Sequence, residues 1–159
     1  MTNHAYTYAH PRPMVTTDAV VFGRREGQWH VLLIQRKNDP FAGAWALPGG
    51  YVEMDEPLET GVARELKEET GLTGVTLRQL HAFGDPGRDP RGRTITVAYL
   101  GVAEPGAPEP KGADDAADAR WFPVNALPAL AFDHGRIIRY AVQTLQGGSS
   151  PQDREEAQP

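Results

Sequence analysis

The sequence predicts an α/β domain in which helices cover a sheet. Apolar runs of strand length alternate with turns rich in Gly, Pro and charged residues. Two longer segments repeat their apolar residues at helical spacing. The chain has 159 residues, of which 40% are hydrophobic, so one domain can bury a core of its own.

The predicted sheet begins with two strands joined by a short turn. The segment TTDAVVF, residues 16–22, is rich in residues that favour strands, and WHVLLIQR, residues 29–36, is apolar enough to be largely buried. The residues REGQ form the turn between them. We predict a loop over residues 37–50, because this segment contains two prolines and the Gly49-Gly50 pair.

A helix is predicted over residues 57–70. Pro57 is suited to the first turn of a helix, and Asp55 or Glu56 can stand at its start. Gly71 is suited to the position that ends a helix. An apolar stripe at every fourth position consists of Leu58, Val62 and Leu66.

The rest of the chain completes the sheet and adds a second helix. Strands are predicted over 75–83 and 93–102, on either side of the charged loop GDPGRDPRG, and a short strand over 119–124. The last predicted helix covers 135–146. The predicted organisation is a flexible lead-in over 1–13, one domain over 14–146 and a disordered tail over 147–159.

Composition narrows the classes of function. The net charge of -5 argues against a general nucleic-acid binder, which usually carries a basic patch. No apolar run reaches membrane-spanning length and no signal peptide is recognisable, so we expect a cytoplasmic protein that does not bind membranes. The chain has no cysteine, so any metal site must use oxygen or imidazole ligands. Oxygen-rich sites favour hard ions such as Mg²⁺ or Mn²⁺.

Three glutamates crowd one edge of the predicted helix. Glu65 and Glu69 are four residues apart and stack on one face, with Glu68 beside them. Such like-charge pairs each cost a few tenths of a kcal/mol, roughly, unless a cation neutralises them. One interpretation is a solvated acidic face partnered by Arg64 and Lys67. The other is a site for a divalent cation, which prefers carboxylate oxygens.

The segment GYVEMDEPLETGVARELKEETGL, residues 50–72, resembles the Nudix box, G-x5-E-x7-R-E-U-x-E-E-x-G-U, where U is aliphatic. Every defined position of that motif is filled, by Gly50, Glu56, Arg64, Glu65, Leu66, Glu68, Glu69, Gly71 and Leu72. The order of strands and helices from about residue 14 to residue 146 also agrees with this family. The resemblance implies an α/β/α sandwich with a mixed β-sheet.

The resemblance also implies a reaction, the Mg²⁺-dependent hydrolysis of a nucleoside diphosphate linked to another group, with Mn²⁺ as an alternative ion. It assigns metal binding to Glu65, Glu68 and Glu69, and a further ligand to the Gly49 carbonyl. Glu56 and Arg64 are expected to orient these carboxylates. With Glu68 and Glu69 they form the expected catalytic group.

The flanking segments 84–101 and 127–137 resemble the ADP-ribose pyrophosphatase branch of this family. The implied reaction converts ADP-ribose and water to AMP and ribose 5-phosphate. Two alternatives remain open. The first is hydrolysis of oxidised nucleoside triphosphates such as 8-oxo-dGTP. The second is a sensor that binds the nucleotide without cleaving it, a function that the complete box disfavours. A homodimer is compatible with the family.

Substrate contacts are predicted from residue type and position. Arg36, Arg91 and Arg93 can bind phosphate through their guanidinium forks. Trp45 and Phe132 are candidates to stack on adenine, although aromatic residues more often serve burial. Further candidates for each role are Phe83 for stacking, His81 and His134 for a polar contact, and Glu53, Asp114 and Asp118 as carboxylates. For the general base we favour Asp115, in the loop before the strand at 119–124.

Overall fold

A computed structural model describes residues 5–147. Within that range the chain forms a mixed seven-stranded sheet and two helices, which confirms the predicted α/β class. In chain order the elements are β1 (Met14–Arg25), β2 (Gln28–Arg36), β3 (Trp45–Ala46), β4 (Gly49–Tyr51), α1 (Leu58–Thr70), β5 (Arg78–Phe83), β6 (Thr94–Val102), β7 (Ala116–Pro123) and α2 (His134–Gly147).

The centre of the sheet is the long strand β1. It pairs in parallel with β6 along its length, from Met14–Thr94 to Phe22–Val102. On its other side, the second half of β1 pairs antiparallel with β2, and its first half pairs with β4. The strands β1 and β2 therefore diverge, and the segment that carries β3 and β4 fills the gap, with β3 paired to β2. This divergence opens the sheet at one end.

Alternate residues of the central strands face opposite layers, as the strand period of two requires. Val20 and Phe22 pack with residues of α2, whereas Ala19 and Val21 pack with Val62 of α1 and its neighbours. The sheet is thus covered by one helix on each face, the α/β/α arrangement that the resemblance implied.

Helix α1 begins and ends close to the predicted positions. Pro57 is the N-cap residue, in extended conformation, and no side chain caps the first turn. Neither Asp55 nor Glu56 therefore serves as the cap. Gly71 adopts a left-handed conformation with φ 76° and donates its backbone N–H to the Lys67 carbonyl at 2.8 Å. Glycine reaches this conformation without steric cost, which explains the helix end at this residue.

Other boundaries differ from the prediction for local reasons. The predicted loop over 37–50 contains β3 and the start of β4, which are too short and too rich in Gly to show strand periodicity. The predicted tail begins at Gly147, but this residue ends α2. The remainder of that tail, 148–159, and residues 1–4 of the lead-in lie outside the described residues. No helix of the described part is long and apolar enough to cross a membrane.

Candidate active site

A cleft of about 450 Å³ lies where β1 and β2 diverge, beside the face of α1 that carries the glutamates. Among the residues predicted from the sequence, those lining the cleft are Arg36, Gly49, Arg64, Glu65, Glu69, Arg91, Asp115 and Phe132, together with Glu53 and His134. Sequence reasoning did not select Asp18, Tyr51, Arg88 or Asp89, which also line it.

Two carboxyl groups meet at the buried end of the cleft. Glu69 is only 4% exposed, and its Oε1 accepts the Gly49 backbone N–H at 3.1 Å. Burial raises the pKa of Glu69 to about 9, against the lowering by the Gly49 N–H, with Glu65 and Asp18 raising it further. Burial also raises the pKa of Glu65. In the absence of a cation Glu69 is therefore expected to keep its proton at neutral pH, so this place favours positive charge.

Arg64 connects the carboxylates of the motif. Its Nε and Nη2 donate to the two oxygens of Glu56 at 2.9 and 2.6 Å. Its Nη1 donates to Glu65 at 2.9 Å and to Glu68 at 3.2 Å. The hydrogen bonds from Arg64 lower the pKa of Glu56 to about 2. Glu56 is thus a permanent counterion that leaves Arg64 free to orient Glu65 and Glu68.

The glycines of β4 bring the backbone against this group. A Cβ atom at Gly50 would lie 2.5 Å from Oε1 of Glu65, and one at Gly49 would lie 2.1 Å from the Thr17 carbonyl oxygen. Both distances are far below van der Waals contact. Glycine is therefore required at both positions, and for different reasons: Gly50 makes room for a functional carboxylate, whereas Gly49 lets β4 pair with β1.

A buried polar network holds the segment between β3 and β4. His134 accepts the Leu47 backbone N–H on Nδ1 at 2.9 Å, and its Nε2 lies 3.6 Å from Asp18. Asp18 accepts the Thr96 hydroxyl at 2.5 Å. Burial lowers the pKa of His134, so the ring is neutral with its proton on Nε2. Both ring nitrogens of His134, a candidate for a polar contact in the site, thus face partners within the protein.

Two arginines form part of the cleft wall. The guanidinium carbons of Arg36 and Arg91 lie 4.9 and 5.2 Å from the centroid of the Phe132 ring. Burial lowers the pKa of Arg36, and the neighbouring charge of Arg91 lowers it further. The Phe132 backbone has φ 51°, which is strained for a bulky residue. The Phe132 ring thus makes cation–π contacts with two guanidinium groups. These contacts differ from the adenine stacking predicted for it.

Asp115 reaches the cleft because its loop is tied to the end of α1. The backbone N–H groups of Lys111 and Ala113 donate to the carbonyls of Thr70 and Glu69 at 3.0 and 3.3 Å. These bonds satisfy carbonyls that a helix end leaves without partners. Asp115 is exposed and lines the cleft.

Several predicted residues are not in the cleft lining. Glu68 and Glu56 border the cleft only through Arg64. Arg93 is exposed and donates to the Gly84 carbonyl. Trp45 packs edge-on against Phe122 with the ring centroids 4.7 Å apart. Phe83 is a core residue at 2% exposure.

The cleft residues Asp18, Tyr51, Arg88 and Asp89, which sequence reasoning did not select, differ in the signal that the sequence gives for them. Asp18 interrupts the apolar strand TTDAVVF. A single charged residue in a strand that is otherwise buried indicates that it has a specific partner or function. Arg88 and Asp89 belong to a charged loop, and no sequence pattern distinguishes them from its other ionisable residues. Tyr51 has no distinguishing signal.

The donor set at the cleft is suited to a hard divalent cation. Burial raises the pKa of both Glu65 and Glu69, so a cation would stabilise their charged forms, and oxygen ligands are the kind that such ions prefer. As the side chains stand, no three acidic or imidazole groups of residues 5–147 converge closely enough to enclose a metal ion. Of the three glutamates expected to bind the metal, Glu68 is the one outside the cleft lining. Its side chain is 42% exposed and pairs with Arg64.

The chain is similar in sequence and in fold to known proteins. It is 45% identical over 132 residues to the ADP-ribose pyrophosphatase of Methanocaldococcus jannaschii, which covers 83% of this chain and 73% of that protein. The NUDIX domain of Shewanella oneidensis NrtR, solved with ADP ribose, matches with a TM-score of 0.80 and 36% identity, over 86% of this chain and 91% of that one.

A further match is a bifunctional NMN adenylyltransferase/ADP ribose pyrophosphatase from Francisella tularensis, solved with AMP and a Mn ion. Its TM-score is 0.75 at 34% identity, over 87% of this chain and 43% of that one. The NUDIX domain model matches residues 12–141, which takes in every strand and the first part of α2. On these grounds the chain belongs to the NUDIX domain family.

Proposed function

We propose that this protein is a pyrophosphohydrolase that uses a divalent cation to cleave ADP-ribose into AMP and ribose 5-phosphate. The observation that carries the proposal is that the Glu65–Glu69 pair lines the same cleft as the two arginines Arg36 and Arg91. A diphosphate needs cations on both sides, and this cleft offers a cation site and a guanidinium wall. The similarity to an ADP-ribose pyrophosphatase and to domains solved with ADP ribose or AMP supports the choice of substrate.

The cation is proposed to be Mg²⁺, with Mn²⁺ as the alternative that the Francisella structure contains. When bound, it would neutralise charge on the diphosphate and make water a better nucleophile. Glu65 and Glu69 would hold it with Glu68 and the Gly49 carbonyl. Loss of the proton from Glu69 would accompany its binding, since metal ligands must be deprotonated.

Other residues of the chain would orient the reacting groups. Arg64 fixes the Glu65 carboxylate, and Glu56 keeps Arg64 in place. Arg36 and Arg91 would donate hydrogen bonds to phosphate oxygens. Asp115, which is exposed at the cleft, is our candidate to accept the proton of the attacking water on its carboxylate.

Release of AMP from ADP-ribose with Mg²⁺ is the direct test, with 8-oxo-dGTP, NADH and diadenosine polyphosphates compared at equal concentration. Preferential hydrolysis of ADP-ribose is the expected result. Activity confined to 8-oxo-dGTP would retain the pyrophosphohydrolase chemistry but refute the substrate. Binding of ADP-ribose without hydrolysis of any of these compounds would point to a sensor.

A further inference from the structure

The residue Asp89 is a buried carboxylate that the reaction proposed above does not use. Its side chain is only 2% exposed, although it belongs to the charged loop over residues 84–92. It accepts hydrogen bonds from Nε and Nη2 of Arg91 at 3.0 and 2.7 Å, and from the Arg91 backbone N–H at 2.9 Å. A buried carboxylate is stable only when it is paired in this way.

The geometry of this pair leaves one edge of Arg91 available. A guanidinium has five N–H donors, and side-on pairing uses those of Nε and one of Nη2. The Nη1 edge lies on the far side of the fork from Asp89. Because Arg91 lines the cleft and its guanidinium is near the Phe132 ring, that edge is available to an anionic ligand in the cleft.

Ion pairs join the loop that carries Asp89 to α2 and to Asp133, the residue before it. Arg88 has a side chain only 5% exposed and donates through Nε and Nη2 to both oxygens of Asp133, at 3.0 and 2.7 Å. Arg136 of α2 forms an ion pair with Asp85 at the surface. The buried Arg88–Asp133 pair fixes this part of the loop, whereas the exposed Asp85–Arg136 pair adds little. Asp89 therefore holds Arg91 from a backbone that the Arg88–Asp133 pair keeps in place.

We propose that Asp89 is a positioning residue that aims the guanidinium of Arg91 at the diphosphate of the substrate, beside Arg36. This proposal rests on the proposed function, because it takes ADP-ribose as the ligand. Without Asp89, Arg91 would be repelled by Arg36 and would turn toward solvent. The two guanidiniums lie together near Phe132, and Asp89 supplies negative charge beside Arg91.

The test is the affinity for ADP-ribose in EDTA, measured by calorimetry, where binding is separated from turnover. Asp89→Asn is expected to raise the Kd about tenfold, the effect of losing one charge-assisted hydrogen bond. Asp85→Asn is the matched control: it makes the same substitution in the same loop and removes an ion pair with an arginine of α2. Asp85 does not line the cleft, so its variant should bind as the wild type does.

A double-mutant cycle separates positioning from a general structural effect. If Asp89 acts through Arg91, the variant with both Asp89→Asn and Arg91→Ala binds ADP-ribose as weakly as Arg91→Ala alone. Wild-type affinity in Asp89→Asn, or losses that add in the double variant, would overturn the proposal. Should Asp89→Asn not fold, Asp89→Glu keeps the charge and displaces the fork, and unchanged affinity in that variant would equally overturn it.

The outcomes also separate this proposal from the proposed function. If the wild type binds ADP-ribose without hydrolysing it and Asp89→Asn weakens that binding, the function fails and the role of Asp89 stands. If the wild type hydrolyses ADP-ribose and Asp89→Asn binds normally, the function stands and the role of Asp89 fails. A wild type that neither binds ADP-ribose nor hydrolyses it would refute both.

Discussion

Arg64 pairs side-on with Glu56 at 2.6 and 2.9 Å, and the same guanidinium reaches Glu65 at 2.9 Å. Glu56, near the start of the motif, is thus the counterion of Arg64. The remaining N–H donors of Arg64 are available to Glu65, the next residue of the helix. The arrangement depends on the planar fork, because a single ammonium group cannot donate in both directions at once.

The change Arg64→Lys is therefore expected to lower kcat by about 10- to 100-fold, the usual cost of losing a residue that orients metal ligands. The concentration of Mg²⁺ needed for half-maximal activity should rise as well. The measurement is the initial rate of AMP release over a titration of Mg²⁺. Arg78→Lys, at an exposed position of β5, is the matched control and should behave as the wild type does.

Metal-free protein is expected to lose stability as the pH rises toward 9. Burial raises the pKa of Glu69 to about 9 in the folded state, from an ordinary value of 4.5. Between these values the folded state binds a proton that the unfolded state has released. Stability therefore falls as pH rises through this window, and a cation that replaces the proton should restore it. Thermal unfolding in EDTA from pH 6 to 9, repeated with Mg²⁺, measures this.

Glu69→Gln removes both the titration and a proposed ligand. Its melting temperature in EDTA should vary less with pH than that of the wild type, whereas Glu68→Gln, at an exposed position, should keep the wild-type slope. Turnover of Glu69→Gln should fall by about a hundredfold or more, since even residues that only orient ligands cost 10- to 100-fold. Full activity in this variant would refute the metal assignment of Glu69.

Alanine at each glycine of β4 should separate stability from activity. In Gly49→Ala the new methyl group meets the Thr17 carbonyl at 2.1 Å, a backbone atom, so the variant should lose about 1–3 kcal/mol of unfolding free energy or more. In Gly50→Ala it meets the Glu65 carboxylate at 2.5 Å, which can move away. That variant should keep its melting temperature within a few degrees and lose most of its activity. Equal effects on both properties in the two variants would contradict the distinction.

The arginines predicted from the sequence should differ in their effects on substrate affinity. Arg36 lines the cleft, so Arg36→Ala should raise KM for ADP-ribose about tenfold, the loss of one charge-assisted hydrogen bond. Arg93 is exposed and donates to the Gly84 carbonyl, outside the cleft lining, so Arg93→Ala should leave KM within about twofold. Steady-state kinetics on ADP-ribose decide this, and a raised KM in Arg93→Ala would extend the binding site to that residue.

Local rules were sufficient for the helix of the motif. Spacing by four residues places Glu65 and Glu69 on one face, and the structure brings these two carboxyls together beside Gly49. Gly71 ends the helix because the left-handed conformation there suits glycine. Such features depend on neighbours within a turn or two, and the sequence contains all the information that they require.

Contacts between distant segments decided the rest. Asp18 bonds to Thr96, 78 residues away, and Leu47 bonds to His134, 87 residues away, so no local pattern could reveal either pair. The contact of the Phe132 ring with two guanidinium groups likewise forms only when β2 and the charged loop meet near α2. The sequence by itself determined the acidic helix and the kind of ion it suits. Only the tertiary structure decided which arginines, aspartates and aromatic rings face it, because burial and long-range pairing depend on how the whole chain folds.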